Sequence, residues 1–338
     1  MNPQQREVGR SGLRVGALGL GCATLGGSRH PVRRDEAEAL LRHAWEAGIR
    51  YIDVAPFYGY GAAERRVGDA LRHEQRSDWV LSTKVGRLLV PEANPEAGPN
   101  GTPRPMPFGA VYDYSYDGVM RSFEHSLQRL GLDRIDILLV HDIGEYVHGA
   151  ANEKHLRDLR EGGARALAEL KQSGAIRAAG LGVFEPQVCL DAMDWGRWDL
   201  FLLGGAYTLL DQGPLQDLLP ACQRHGVSIV VGSPFNAGVL VGGELWNYKP
   251  VPPAVRDKVA ALRDLCHEHG VPIAAATLQF PLAHPSVAAV IPGPRSIEEL
   301  DLALSAARHR IPDALWAALK QRGLIHPDAP TPDTPPTL

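Results

Sequence analysis

The sequence predicts a single closed barrel of eight parallel strands alternating with helices. Three observations predict it. Short apolar runs recur eight times, a segment of helical period follows nearly every run after a polar turn, and no GxGxxG fingerprint of an open dinucleotide-binding sheet follows the first run.

The candidate strands are residues 15–20, 51–54, 80–83, 135–140, 178–183, 200–203, 228–231 and 287–291, each of the kind buried on both faces of a parallel sheet. The candidate helices are residues 34–46, 62–72, 116–130, 161–172, 186–194, 215–225, 253–269 and 296–307. At Ala47-Gly48-Ile49 and His225-Gly226-Val227 a glycine stands where a helix ends, free to take the left-handed cap conformation before the next strand. A chain of 338 residues exceeds the usual one-domain length, but barrels of this kind reach that size as one unit, so residues 1–338 read as one domain. Two segments break the rhythm. Residues 86–115 form a connection rich in proline, glycine and aromatics, far longer than the usual roughly 4–6 residues, and they follow a strand, where barrel active sites form. The proline-rich tail, residues 326–338, is expected to be weakly ordered.

Composition narrows the function classes. With 44% hydrophobic and 22% charged residues the chain can bury a large core, which excludes disorder and fibrous architecture. Lys plus Arg number 35 against 39 Asp plus Glu, and a net charge of −4 offers no general attraction to nucleic acid or anionic membrane. The polar N-terminus lacks an apolar signal core, so the expected location is the cytoplasm and the expected partner a small molecule. Cys22, Cys189, Cys222 and Cys266 form no CxxC pair and read as reduced, partly buried thiols rather than metal ligands or disulfides.

The chemistry concentrates at strand ends. The run from Tyr51 to Glu64 begins as a strand and turns through Pro56 and glycines into a helix, placing Asp53 at the strand's end and Tyr58 beyond it. Two later strands end in Lys84 and His141. Singly these residues read as structural, but jointly they form a proton-transfer set. A tyrosine titrates near about pH 10 and transfers protons poorly at neutrality. An ammonium at Lys84 is expected to lower the phenol's pKa, Asp53 to hold Lys84, and His141 to bond and orient the substrate oxygen.

At these residues the chain resembles the aldo-keto reductases, over about residues 12–307. The motifs are the run 53–64, Ser82-Thr83-Lys84, the run 136–141 and Val290-Ile291-Pro292-Gly293. The resemblance implies a (β/α)₈ barrel, a nicotinamide cofactor across the barrel mouth, and a catalytic tetrad falling on Asp53, Tyr58, Lys84 and His141. Within the family the chain is most similar to the branch of sugar 1-dehydrogenases and pyridoxal dehydrogenase. That likeness rests on the runs 82–87, 107–108, 113–115, 207–212 and 231–236.

Some family positions depart. Where many members hold the nicotinamide carboxamide with a Ser-Asn pair, this chain has Phe184 and Glu185; the glutamine of the sixth strand falls on Gly204 and the stacking tyrosine of the seventh on Gly232. Tyr207 and Asn236 are the candidate substitutes. Further cofactor contacts are expected at Gly21, Cys22 and Asp53, at Ser233, Pro234, Phe235, Gly238 and Val239, and at Pro292, Gly293, Arg295, Ser296 and Glu299. Glycines there permit close approach, and a helix N-terminus favours phosphate. Glu299, with Asp301 nearby, would repel a 2′-phosphate, so NAD is expected, with NADP the alternative.

Phe108, Tyr112 and Tyr114 of the long loop are expected to wall the substrate space, beside Tyr58 and His141; the plain alternative is that these aromatics pin the loop. The expected reaction is oxidation of an aldose of the L-fucose, L-galactose or D-arabinose type at C1 to its lactone. Pyridoxal oxidation or general aldehyde and ketone reduction are the alternatives. Two readings from other classes are a cofactor-sensing accessory subunit and a hydrolase using Asp53 and Asp142, the latter leaving Lys84 and Tyr58 without a role.

Overall fold

The computed structural model describes residues 5–27, 31–93 and 104–332. The chain opens with an antiparallel hairpin, β1 (Gln5–Val8) and β2 (Leu13–Gly16), before the first barrel strand, β3 (Leu20–Gly21). The predicted run 15–20 is therefore two elements. Val8, Leu13 and Val15 pack against Tyr51, Ile137, Leu200 and Ala288, and Arg6 donates to the carbonyls of Leu282 and Val287. These partners stand near the starts of their strands, so the hairpin floors the N-terminal end and leaves the other end for the site.

The remaining barrel strands are β4 (Tyr51–Asp53), β5 (Val80–Val85), β8 (Ile137–His141), β9 (Ala178–Val183), β10 (Leu200–Gly204), β11 (Ser228–Gly232) and β14 (Val287–Ile291). All neighbours pair in parallel, in the order β3-β4-β5-β8-β9-β10-β11-β14. The ring closes where Val290 donates to Ala17 O, Gly19 to Val290 O and Gly21 to Pro292 O, at 2.9–3.0 Å. The long connection after β5 contains a second hairpin, β6 (Arg87–Pro91) with β7 (Phe108–Tyr112), and the connection after β11 a small third one, β12 (Leu245–Trp246) with β13 (Lys249–Pro250).

Helices α1 (Arg34–Glu46), α2 (Ala62–Leu71) and α3 (Tyr116–Leu130) follow the predicted bounds closely. Short helices α4 (Glu145–His148), α5 (Asn152–Asp158) and α10 (Ile273–Gln279) were not foreseen, because their apolar positions span too few turns for a clear period, and neither was α12 (Asp313–Gln321). The outer ring is completed by α6 (Ala164–Gln172), α7 (Pro186–Met193), α8 (Leu218–His225), α10 and α11 (Ile297–Arg308), with α9 (Pro253–Glu268) packed on α10 and α12. All four cysteines are free and buried. The described start of the tail packs rather than projects: Ala329 is fully buried and His326 N donates to Gln212 Oε1. Residues 333–338 of the expected tail lie outside the described residues.

Strand alternation builds the interior. Side chains two apart share a face, so Tyr51 and Asp53 point inward from β4, Ser82 and Lys84 from β5, and Ile137, Leu139 and His141 from β8, while Ile52, Leu81, Leu138 and Val140 face the helices. In β9, Gly182 leaves room for the lysine, since a Cβ there would stand 3.3 Å from Lys84 Cε. Outside the barrel α2 crosses α3 at Gly68, where a Cβ would lie 2.0 Å from the Leu130 carbonyl oxygen.

Gly68→Ala tests that crossing. Helix propensity alone favours alanine by up to about 1 kcal/mol, but the clash is with backbone and the helices must part, at a cost of roughly 1–3 kcal/mol. The urea midpoint should fall; a raised midpoint would show that the helices do not meet at this residue.

Candidate active site

The four predicted residues meet at the C-terminal end of the barrel. Lys84 Nζ donates to Asp53 Oδ2 at 2.7 Å and to the Val54 carbonyl at 3.0 Å, and Ser82 Oγ donates to Asp53 Oδ1 at 2.7 Å. Lys84 is 1% exposed and Asp53 2%, so the ion pair is dry and its geometry is held by packing. Thr83, on the opposite face of β5, donates to the buried Glu64 of α2, which also receives Arg129 of α3. This contact ties the strand carrying the lysine to both helices outside it.

Tyr58 is fixed by its backbone. Its N–H donates to Ala55 O and its carbonyl accepts from Ala63 N as α2 begins. The loop carrying it crosses the loop after β3 at two glycines: a Cβ on Gly59, whose φ is +64°, would lie 2.1 Å from Gly26 O, and one on Gly26 would lie 2.4 Å from Gly59 N. The half-buried ring meets His141 edge-on with centroids 5.8 Å apart, and Lys84 Nζ stands 4.8 Å from its centroid.

The electrostatics correct one expectation. Burial first, then Asp53, Asp142 and Tyr248, push the Tyr58 phenol well above its ordinary value, and Arg87 opposes them. Lys84 does not outweigh them: two of its three N–H groups bond Asp53 and Val54, and the carboxylate offsets its charge. His141 is 4% exposed, and burial, helped by Arg87 and Lys84, holds it well below the usual imidazole range. At neutral pH the site therefore presents a protonated phenol and a neutral imidazole.

Arg87 and Asp142 also belong to this site. Arg87, 4% exposed at the base of β6, bonds Asp142 Oδ2, and its guanidinium lies 4.2 Å from the Phe57 ring centroid. Asp142 Oδ2 is 3.4 Å from His141 Nε2. The sequence signals for both were simple adjacency: Arg87 ends the run 82–87 and Asp142 follows His141, although only a hydrolase reading gave Asp142 a part. An aromatic ridge was also missed. Phe184 packs against Tyr146 at 5.2 Å and Tyr248 at 5.9 Å, the latter on the β12–β13 turn, and Tyr146 Oη donates to Asn247 O.

Several sequence candidates take other roles. Tyr114 does not wall the substrate space: it is fully buried, and its hydroxyl donates to the His141 carbonyl at 2.8 Å, so it pins the loop. Tyr112 is 39% exposed and its ring packs on His148 at 4.5 Å, beside Arg87 at 5.4 Å. Phe108 pairs with Pro91 at the far end of the hairpin, four residues from Tyr112 and so about 13 Å along the strand. Tyr207 is core, fully buried against Phe280 and His284, and cannot stack on a ligand. Asn236 is also fully buried; its amide donates to Gly205 O and Asn247 Oδ1, clasping two loops, while Oδ1 lacks a partner among the described residues. Cys22 is buried, with Sγ directed at Leu20 O.

The phosphate-binding candidates fit a dinucleotide better. Gly293 is exposed after β14, and Ser296 caps α11 by accepting from Glu299 N, so a helix N-terminus follows the exposed glycine. Gly238, with φ +100°, has space for a close ligand, and its loop includes Ser233, Pro234, Phe235 and Val239. Gly21 and Pro292 are locked together at the barrel seam, so they offer backbone alone. Arg295 is already paired with Glu299 through Nε and Nη2. Among the described residues no cluster of His, Cys, Asp and Glu could hold a metal, and no helix is long and apolar enough to cross a membrane.

The comparisons agree with this geometry. The Aldo/keto reductase family profile matches residues 17–322. The chain is 44% identical to a pyridoxal 4-dehydrogenase of Microbacterium luteolum, over 95% of this chain and 98% of that one. It is 36% identical to a D-threo-aldose 1-dehydrogenase of a Pseudomonas species, covering 98% and 100%, and 30% identical to an L-galactose dehydrogenase of Arabidopsis thaliana, covering 88% and 85%. Among solved structures, the holo form of an aldo-keto reductase from Bacillus halodurans superposes with a TM-score of 0.75 at 27% identity, covering 98% and 99%. With its eight-stranded barrel and its Asp53, Tyr58, Lys84 and His141 at one end, this chain belongs to the aldo/keto reductase family of oxidoreductases.

Proposed function

We propose that this enzyme is an NAD-dependent dehydrogenase that oxidises the hemiacetal carbon of a small ring to a lactone. The observation that carries the reading is the meeting of Tyr58 and His141 over the buried Lys84–Asp53 pair. The imidazole, neutral through physiological pH, bonds the reacting oxygen and fixes its place. The phenol oxygen exchanges the proton of that oxygen, as base in oxidation and as acid in reduction. When bound, the nicotinamide ring accepts or returns the hydride of the same carbon. Lys84 and Asp53, buried beneath, hold the phenol's surroundings rigid and charge-balanced.

Two ring classes follow from the relatives. An aldose oxidised at C1 matches the reaction in the name of the D-threo-aldose relative, and pyridoxal, whose neighbouring hydroxymethyl closes a hemiacetal on the aldehyde, matches the relative of 44% identity. The ridge of Tyr146, Phe184 and Tyr248 offers flat faces that suit either ring. Assaying aldoses and pyridoxal with NAD, following absorbance of the reduced cofactor, identifies the ring; activity on open-chain aldehydes alone would remove the hemiacetal reading.

NAD follows from charge. The Arg295 guanidinium is bonded to Glu299, and Asp301 stands two residues further on, paired with His43. A 2′-phosphate would have to break the Arg295–Glu299 pair or face carboxylate. The expected kcat/KM favours NAD at least tenfold, about 1.4 kcal/mol; a tenfold preference for NADP would reverse the assignment.

Tyr58→Phe should lower turnover by roughly 10²–10⁴ while NAD affinity, measured by fluorescence titration, changes little. Near-normal turnover would refute the role. The pH profile has a definite sign. A phenol with a raised pKa is protonated through neutrality, so oxidation should climb towards and beyond about pH 10, the ordinary tyrosine value, while reduction stays level until the proton is lost. An oxidative rate already level by pH 8 would contradict the raised pKa.

A further inference from the structure

We propose that the Arg87–Asp142 pair is the specificity element of this site, recognising a hydroxyl on the carbon next to the reacting one. The inference extends the hemiacetal reading but stands on its own geometry. Asp142 Oδ2 lies 3.4 Å from His141 Nε2, so with this nitrogen on the reacting oxygen a group on the adjacent substrate carbon falls beside this carboxylate. Both members are within electrostatic reach of the Tyr58 phenol, and Asp142 also acts on Tyr146 across the mouth. Asp142 is therefore within range of both the proton-transfer residues and Tyr146 of the aromatic ridge.

Its construction is not that of a stabilising contact. Two opposite charges are buried here, with side chains 4% and 11% exposed, and replacing such a pair by apolar groups of like volume is often neutral or better for stability. Asp142 also holds a left-handed backbone, φ 48°, which a non-glycine residue adopts only where the surroundings impose it. A donor is left over as well: Arg87 Nε is buried without a hydrogen-bond partner among the described residues. A hydroxyl is the group that uses what is present, because it donates to the carboxylate and accepts from the guanidinium at once. The pair is neutral overall, so it selects hydroxyl over an anionic substituent. A substrate lacking that hydroxyl leaves the buried groups unsatisfied, and sites built this way reject such analogues strongly.

The test compares matched substrates. In oxidation these are L-galactose against 2-deoxy-L-galactose, and pyridoxal against its 3-deoxy analogue, whose missing hydroxyl lies one carbon further out. In reduction they are 2-hydroxypropanal against propanal. The native enzyme should prefer the hydroxylated member at least tenfold in kcat/KM, and Asp142→Ala should bring the ratio within about twofold of one. Asp142→Ala strands a buried guanidinium, so Arg87→Met with Asp142→Leu serves as the folded counterpart and should show the same collapse. Equal losses on both members of each matched pair, or a native ratio near one, would overturn the inference. If no hemiacetal is oxidised but the 2-hydroxypropanal preference collapses in the variants, the hemiacetal reading fails and this inference stands.

Discussion

The buried ion pair between Lys84 and Asp53 is the constraint on which the rest of the site depends. Taking a lysine and an aspartate out of water costs several kcal/mol per ion, and only close geometry with further hydrogen bonds offsets it. Here that geometry comes from adjacent parallel strands. Asp53 and Lys84 stand on the inward faces of β4 and β5, Ser82 and the Val54 carbonyl complete their bonds, and Gly182 on β9 leaves the space the lysine fills. Lys84 thus belongs to the barrel interior, and its charge reaches the site only after partial cancellation by Asp53.

That cancellation sets the chemistry above it. A free ammonium beside Tyr58 would lower the phenol's pKa. A compensated one leaves burial and the carboxylates in control, and the phenol keeps its proton. The same burial keeps His141 neutral, so acid and hydrogen-bonding partner coexist at one pH without competing for a proton. The second ion pair, Arg87–Asp142, is buried just past the strand ends, beside His141. The first pair thus organises the machinery, and the second is placed to meet the substrate.

The mouth is asymmetric for a related reason. The strands β4, β5 and β8 end inward in Asp53, Lys84 and His141, whereas β9, β10 and β11 carry Gly182, Gly204 and Gly232 on their inward faces towards their ends. The glycines add no side chain, and the Phe184 ring comes so close to Gly204 that a Cβ there would be 2.7 Å away. Aromatic loop residues therefore shape the half of the mouth where many family members use polar strand residues.

Much of this was legible in the chain itself. Eight apolar runs, the glycines ending helices, and the residues released at three strand ends follow from local periodicity, which a parallel barrel repeats unit by unit. The tetrad residues were readable because each sits at a fixed offset from its strand. Tyr114 and Tyr207 were misplaced because their burial depends on packing partners, the His141 carbonyl for one and Phe280 for the other, that lie 27 and 73 positions away. The pairing of Arg87 with Asp142 and the state of the Tyr58 proton were decided by the tertiary structure alone. Charges act through distance in space, and no spacing along the chain tells whether an ammonium faces a phenol or has already been taken by a carboxylate.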